Sequence, residues 1–134
     1  TTNRGTMTQE EFIYYAERSL QQEIQSTAKD TYCRYDAHNN NYIIEFKSRR
    51  KHYDTQLIEY AKFDCNMEIA NKENKEFLYM VETPEGVYTF NVSKLSNEGY
   101  DFGWEDRRMP AKTDFSGSHR KDKKVGYIAV KDAV

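Results

Sequence analysis

Cysteine is scarce in this chain of 134 residues: Cys33 and Cys65 are its only two. Their positions offer neither a disulfide framework nor the paired spacing of a zinc site, and a four-thiolate iron–sulfur cluster is excluded. A reducing interior is the simplest environment. No apolar run reaches membrane-spanning length and no secretory hydrophobic segment is present, which leads us to expect a soluble protein of the cytoplasm. Strong charge of either sign is also missing. Twenty Lys and Arg against 22 Asp and Glu give a formal net charge of -2, with a pI near 5.9. Coating nucleic acid without sequence preference relies on many phosphate neutralisations, so that class is disfavoured. With no internal repeat or low-complexity linker, the chain reads as one domain over residues 7–134. Residues 1–6, ahead of Met7, carry no hydrophobic pattern and read as a leader.

Hydrophobic content of 37%, with 14% aromatics, is enough for a folded core, while 31% charged residues imply a very polar exterior. Eleven tyrosines are unusual. Tyrosine packs a ring and leaves a hydroxyl wet, which suits a thin core or a surface meeting sugars, bases or phosphates.

Thr8-Gln9-Glu10-Glu11 is a capping box, and a helix over 9–26 is predicted behind it, with Phe12, Ile13, Ala16, Leu20 and Ile24 as its apolar stripe. A strand over 31–37, a bend at His38-Asn39-Asn40-Asn41 and a strand over 41–48 follow, with His38 an exposed turn residue. Asp54 offers an N-cap to a helix over 55–72 whose packed face is Leu57, Ile58, Ala61, Cys65 and Ile69. After a polar loop at 71–75, strands over 77–82 and 87–92 flank the turn Thr83-Pro84-Glu85-Gly86 and extend the sheet. Regularity then fades from Ser93 to His119, where Trp104, Met109-Pro110 and Phe115 read as anchors of a long ordered loop. A last strand is expected over 124–130.

The chemistry concentrates in the second strand. Alternation puts Glu45 and Lys47, on either side of Phe46, on one face. Folding the asparagine bend into a hairpin brings Asp36 beside Glu45. Two acids and one lysine then converge, offering hard oxygen ligands to a divalent metal and a cation to orient a water or share a phosphate's charge.

Arg34-Tyr35-Asp36, eight intervening residues and Glu45-Phe46-Lys47-Ser48, followed by Gln56-Leu57-Ile58-Glu59-Tyr60, resembles the PD-(D/E)XK nuclease superfamily, in particular its RecB-like branch. The match covers residues 34–60. No proline precedes Asp36, and the stretch from Asp30 to Ala37 has room for one strand where that family usually has two. The resemblance implies a mixed α/β fold with a restriction-endonuclease-like core, a central mixed β-sheet flanked by helices. It also implies a Mg²⁺- or Mn²⁺-dependent deoxyribonuclease. Asp36, Glu45 and the main-chain carbonyl of Phe46 would hold the ion, and Lys47 would orient the attacking water. Members often add a first-helix glutamate, here Glu17, although pairing with a neighbouring Lys or Arg is an equal reading of that residue. Gln56 and Tyr60 would share one edge of the second helix, either at the cleft mouth or simply packed and solvated. A lysine beside two carboxylates is expected to stay charged and to keep both acids ionised at neutral pH.

Arg49, Arg50 and Lys51 directly follow the proposed catalytic strand and are candidate DNA contacts together with Tyr60; solvated loop charge is the plain alternative. His119-Arg120-Lys121 with Lys123-Lys124 reads as solvated charge. The small size suits a phage or mobile-element protein acting in the host cytoplasm, with a second copy or a larger replication partner if both strands are cut. Two rival classes stand beside the nuclease: a nuclease-like fold that binds nucleic acid or protein without catalysis, and an unrelated protein in which Glu45 and Lys47 form a surface ion pair.

Overall fold

The Thr8 hydroxyl accepts the Glu11 amide and the Glu11 carboxylate accepts the Thr8 amide, so the capping box opens the first helix as its residues dictate. The computed structural model describes residues 6–27, 35–110 and 120–134. The helix, α1, spans Gln9–Leu20 and stops at Gln21, which turns left-handed with φ 56°. It is therefore shorter than the 9–26 predicted from periodicity. Ile24 remains buried, so the apolar spacing runs on past the point where the backbone leaves the helix.

A short strand β1 (Gln25–Ser26) leads, through residues that lie partly outside the described set, to β2 (Ala37–His38) and β3 (Tyr42–Ser48). Most of the strand expected over 31–37 falls among those undescribed residues. The asparagine bend forms. The Asn39 side-chain oxygen accepts the amides of Asn41 and Tyr42, and the Asn39 amide donates to the Tyr42 carbonyl. His38 belongs to β2 instead of the turn, with its ring 3.0 Å from the Thr27 hydroxyl.

Two elements replace the helix expected over 55–72. Thr55–Glu59 is a strand, β4, and the helix α2 covers Tyr60–Glu73. In β4, buried Gln56 and Ile58 alternate with the more exposed Thr55, Leu57 and Glu59. The strand pairs antiparallel with β8 (Arg120–Ala129), placing Gln56 opposite Ile128. A ladder to a segment so distant in sequence overrides a locally helical spacing. On α2 the inward face is Asn66 and Ala70, with Phe63, Met67 and Ile69 against the core, while Ala61 is exposed. The helix runs through the stretch expected as a loop and ends at left-handed Asn74, whose amide reaches the carbonyls of Ala70 and Asn71.

The hairpin of β5 (Glu76–Thr83) and β6 (Gly86–Asn91) forms around Pro84-Glu85. Helix α3 (Val92–Asn97) and strand β7 (Glu105–Pro110) occupy much of the stretch expected as a long loop, whose predicted anchor Phe115 lies outside the described residues. The last strand, β8, begins earlier than predicted.

The architecture is mixed α/β with a central mixed sheet flanked by helices. Five strands lie in the order β1-β2-β3-β5-β6, with β3 and β5 parallel and the other pairs antiparallel. The right-sized crossover between β3 and β5 contains α2. On one face α1 packs Phe12 and Ala16 over Ala37, Ile44, Leu78 and Met80, with Phe12 stacked on Phe46 at 4.6 Å. On the other, Ile43, Phe77, Tyr79 and Val81 meet α2 together with Ile58 and Ile128 from a second, three-stranded sheet ordered β4-β8-β7.

Gly126 of β8 lies under the Trp104 ring, where a Cβ would come within 2.8 Å of it. Trp104 is fixed in turn by Phe102 at 5.2 Å and Tyr60 at 5.0 Å. Gly126→Ala should lower stability by about 1–3 kcal/mol in urea unfolding through overpacking; an unchanged midpoint would contradict this packing.

Candidate functional site

Strand alternation sends Ile43, Glu45 and Lys47 to the α2 side of the central sheet and Ile44 and Phe46 to the α1 side. Glu45 is 4% exposed. Its Oε2 lies 3.2 Å from the Lys62 Nζ, and its Oε1 accepts the Asn66 amide at 3.3 Å. Lys62 and Asn66 are one turn apart on α2, so a single helix edge holds both carboxylate oxygens.

Asp36 is brought to the same place through the neighbouring edge of β3. Its amide continues the β2–β3 pairing by donating to the Ile44 carbonyl. One step further along, the Asp36 carboxylate, not a backbone carbonyl, accepts the Phe46 amide at 2.8 Å. The amide and carbonyl of one extended residue point to the same edge, so the Phe46 carbonyl is directed towards the side where Asp36 sits. Asp36, Glu45, Lys47 and the Phe46 main chain thus form one constellation, with Lys62 as its fifth member.

Electrostatics here run opposite to the expectation that the lysine keeps both acids ionised. Burial pushes the Glu45 carboxyl up to about 7, helped by the Asp36 charge, and the attraction of Lys62 and Lys47 is too weak to reverse it. Burial likewise raises Asp36 despite its bond from Phe46. It lowers Lys47, with Arg49 and Lys62 adding repulsion against the pull of Glu59 and Glu45. Desolvation penalises whichever form is charged, and at this depth it outweighs the pairing.

The remaining candidates are dispersed. Glu17 accepts the Ile24 amide at 3.1 Å, tying down the chain after α1, and contacts none of the residues above. Gln56 lies in β4, 1% exposed, and donates to the Tyr53 carbonyl. It does not share a helix edge with Tyr60, because the helix starts only at Tyr60. Tyr60 packs edge-on against Trp104, and its ring carries the Lys124 ammonium at 4.2 Å. Arg49 reaches the Leu57 carbonyl at 2.9 Å and the hydroxyl of buried Tyr79 at 3.2 Å, while Arg50 and Lys51 are exposed. Sequence reasoning missed Lys62. The helix predicted over 55–72 already puts Lys62, Asn66 and Ala70 one turn apart, but its packed face is anchored on Leu57 and Ile58, which belong to β4, and that turns the Lys62 edge away from the sheet.

The donor set suits a hard divalent cation. Among the described residues no group of three or more His, Cys, Asp or Glu side chains gathers. Two carboxylates and a carbonyl would leave several water ligands in place, which is how Mg²⁺ usually binds.

A carboxyl raised from 4.5 to about 7 keeps its proton in the folded chain and loses it in the unfolded one across that window. The stability this carboxyl contributes is therefore fully present below about pH 4.5 and is lost as pH rises through 7, with Asp36 acting in the same direction. In chelator, Glu45→Gln should remove most of this decline and raise stability at pH 8 by roughly 3 kcal/mol in urea unfolding. Parallel pH profiles for the two proteins would contradict the buried, protonated state.

Among the described residues no helix is long and apolar enough to cross a membrane. No protein-family model matches the chain and no curated protein matches its sequence, so a functional reading rests on the site's own geometry.

Proposed function

We propose that this protein is a metal-dependent nuclease of the PD-(D/E)XK type that hydrolyses DNA phosphodiester bonds. The observation that carries the reading is the convergence of Asp36, Glu45 and Lys47 about the Phe46 peptide, through the Asp36–Phe46 hydrogen bond and the shared face of β3. Asp36, Glu45 and the Phe46 carbonyl would hold Mg²⁺ or Mn²⁺. When bound, such an ion polarises the scissile phosphate and lowers the pKa of a water.

The chain's own groups supply the rest. Lys47, on the face of Glu45 but in no ion pair among the described residues, is placed to orient the attacking water or to neutralise charge that develops on the phosphate. Its lowered pKa leaves it able to give or take a proton more readily than a surface lysine. Lys62 and Asn66 hold the two Glu45 oxygens in place beneath α2. Arg49 adds positive charge one alternation further along the chain.

That same Lys62–Glu45 pair supports a second reading, a nucleic-acid-binding module without catalysis, because an ammonium 3.2 Å from Glu45 already supplies the positive charge there. One experiment separates the two. Cleavage of linear, circular, single-stranded and branched DNA should require Mg²⁺ or Mn²⁺ and should fall on the order of 10²-fold or more in Glu45→Ala and in Lys47→Ala, with circular dichroism unchanged. Binding that persists in EDTA without cleavage under any divalent ion would favour the second reading. Cleavage undiminished in both variants would remove these residues from the mechanism.

A further inference from the structure

Beside the constellation, on the side of the three-stranded sheet, lies a cleft of about 420 Å³ lined by Arg49, Tyr53, Leu57, Arg107, Arg108 and Tyr127, among others. Its cations are under-compensated. Arg49 bonds only the neutral oxygens of Leu57 and Tyr79, Arg107 bonds the Tyr127 hydroxyl at 3.1 Å, and neither has a carboxylate within ion-pair distance among the described residues. Arg108 meets Asp122 at 3.9 Å, with both side chains largely exposed. The Glu105 carboxylate accepts a hydrogen bond from the Tyr127 hydroxyl at 2.8 Å. Tyr127 is thereby fixed from two sides, while Tyr53 stands 60% exposed with its ring available.

A guanidinium matches phosphate oxygens in a planar fork, and an exposed tyrosine ring offers a stacking surface to any base. Arg49 ties the cleft to the catalytic strand. It is two residues beyond Lys47, an advance of about 6.6 Å in extended chain, which places the cleft next to the constellation and outside it.

We propose that this cleft is a subsite for one nucleotide of a single-stranded nucleic acid, with Arg49 and Arg107 on its phosphate and Tyr53 stacked on its base. The bound unit neighbours the phosphate offered to Asp36 and Glu45, a placement that rests on the nucleolytic reading; the binding itself does not. The second sheet, whose strands β7 and β8 lie outside residues 34–60, then acts as a substrate-binding platform.

Fluorescence anisotropy with a short labelled oligothymidylate, in EDTA so that no cleavage intervenes, tests it. Arg107→Ala and Tyr53→Ala should each weaken binding at least about fivefold. Arg107→Ala should also reduce the slope of log affinity against log salt by about 0.7. Tyr14→Ala, which removes an equally exposed ring on α1, should leave affinity unchanged. Both altered side chains in the cleft are exposed, so the variants should fold. Affinities for Arg107→Ala and Tyr53→Ala equal to that of Tyr14→Ala would overturn the subsite even if DNA is cleaved. Weakened binding in a protein that cleaves nothing would uphold the subsite and sink the nucleolytic reading alone.

Discussion

The hydrogen bond from the Phe46 amide to the Asp36 carboxylate is the constraint on which the site depends. It converts a position at the end of a two-residue strand into a fixed neighbour of Glu45. Without it, Asp36 would be one more acid in a bend, and Glu45 would face Lys62 and Asn66 with no second acid beside it. Because the bond is made to the peptide between Glu45 and Lys47, it ties the first acid to the same element that carries the other two groups, so their relative positions follow from β-strand stereochemistry.

Packing on both faces of the central sheet holds this arrangement. Phe46, on the far side from Glu45, is stacked on Phe12 of α1, which keeps the strand from rotating about its axis. Tyr79 lies opposite Glu45 in the parallel register, its hydroxyl bonded to the Leu57 carbonyl. That bond and the one from Arg49 join the central sheet to β4 of the second sheet. The price of so much burial is electrostatic: it raises the pKa of both acids and lowers that of Lys47. A divalent cation would reverse that balance by stabilising both carboxylates at once.

Much of this was legible in the amino-acid sequence. Period-two spacing placed Glu45 and Lys47 together, asparagine chemistry marked the bend that brings Asp36 round, and the capping box and the Pro84-Glu85 turn fell where their residues require. What stayed hidden depended on contacts distant along the chain. Residues 55–59 read as helix until β8 supplies a ladder partner, and that misplaced start concealed Lys62 and wrongly put Gln56 on a helix edge. The direction of the pKa shifts was misjudged for a related reason. Proximity of opposite charges is visible in spacing, whereas burial is a property of the finished fold.

Paramagnetic broadening of backbone amide resonances by sub-stoichiometric Mn²⁺ examines the central claim most directly, since it locates an ion without requiring any reaction. The amides of Asp36, Glu45, Phe46 and Lys47 should broaden first, and Mg²⁺ should restore them by competition. Broadening that begins elsewhere on the surface, or none at millimolar Mn²⁺, would contradict the account.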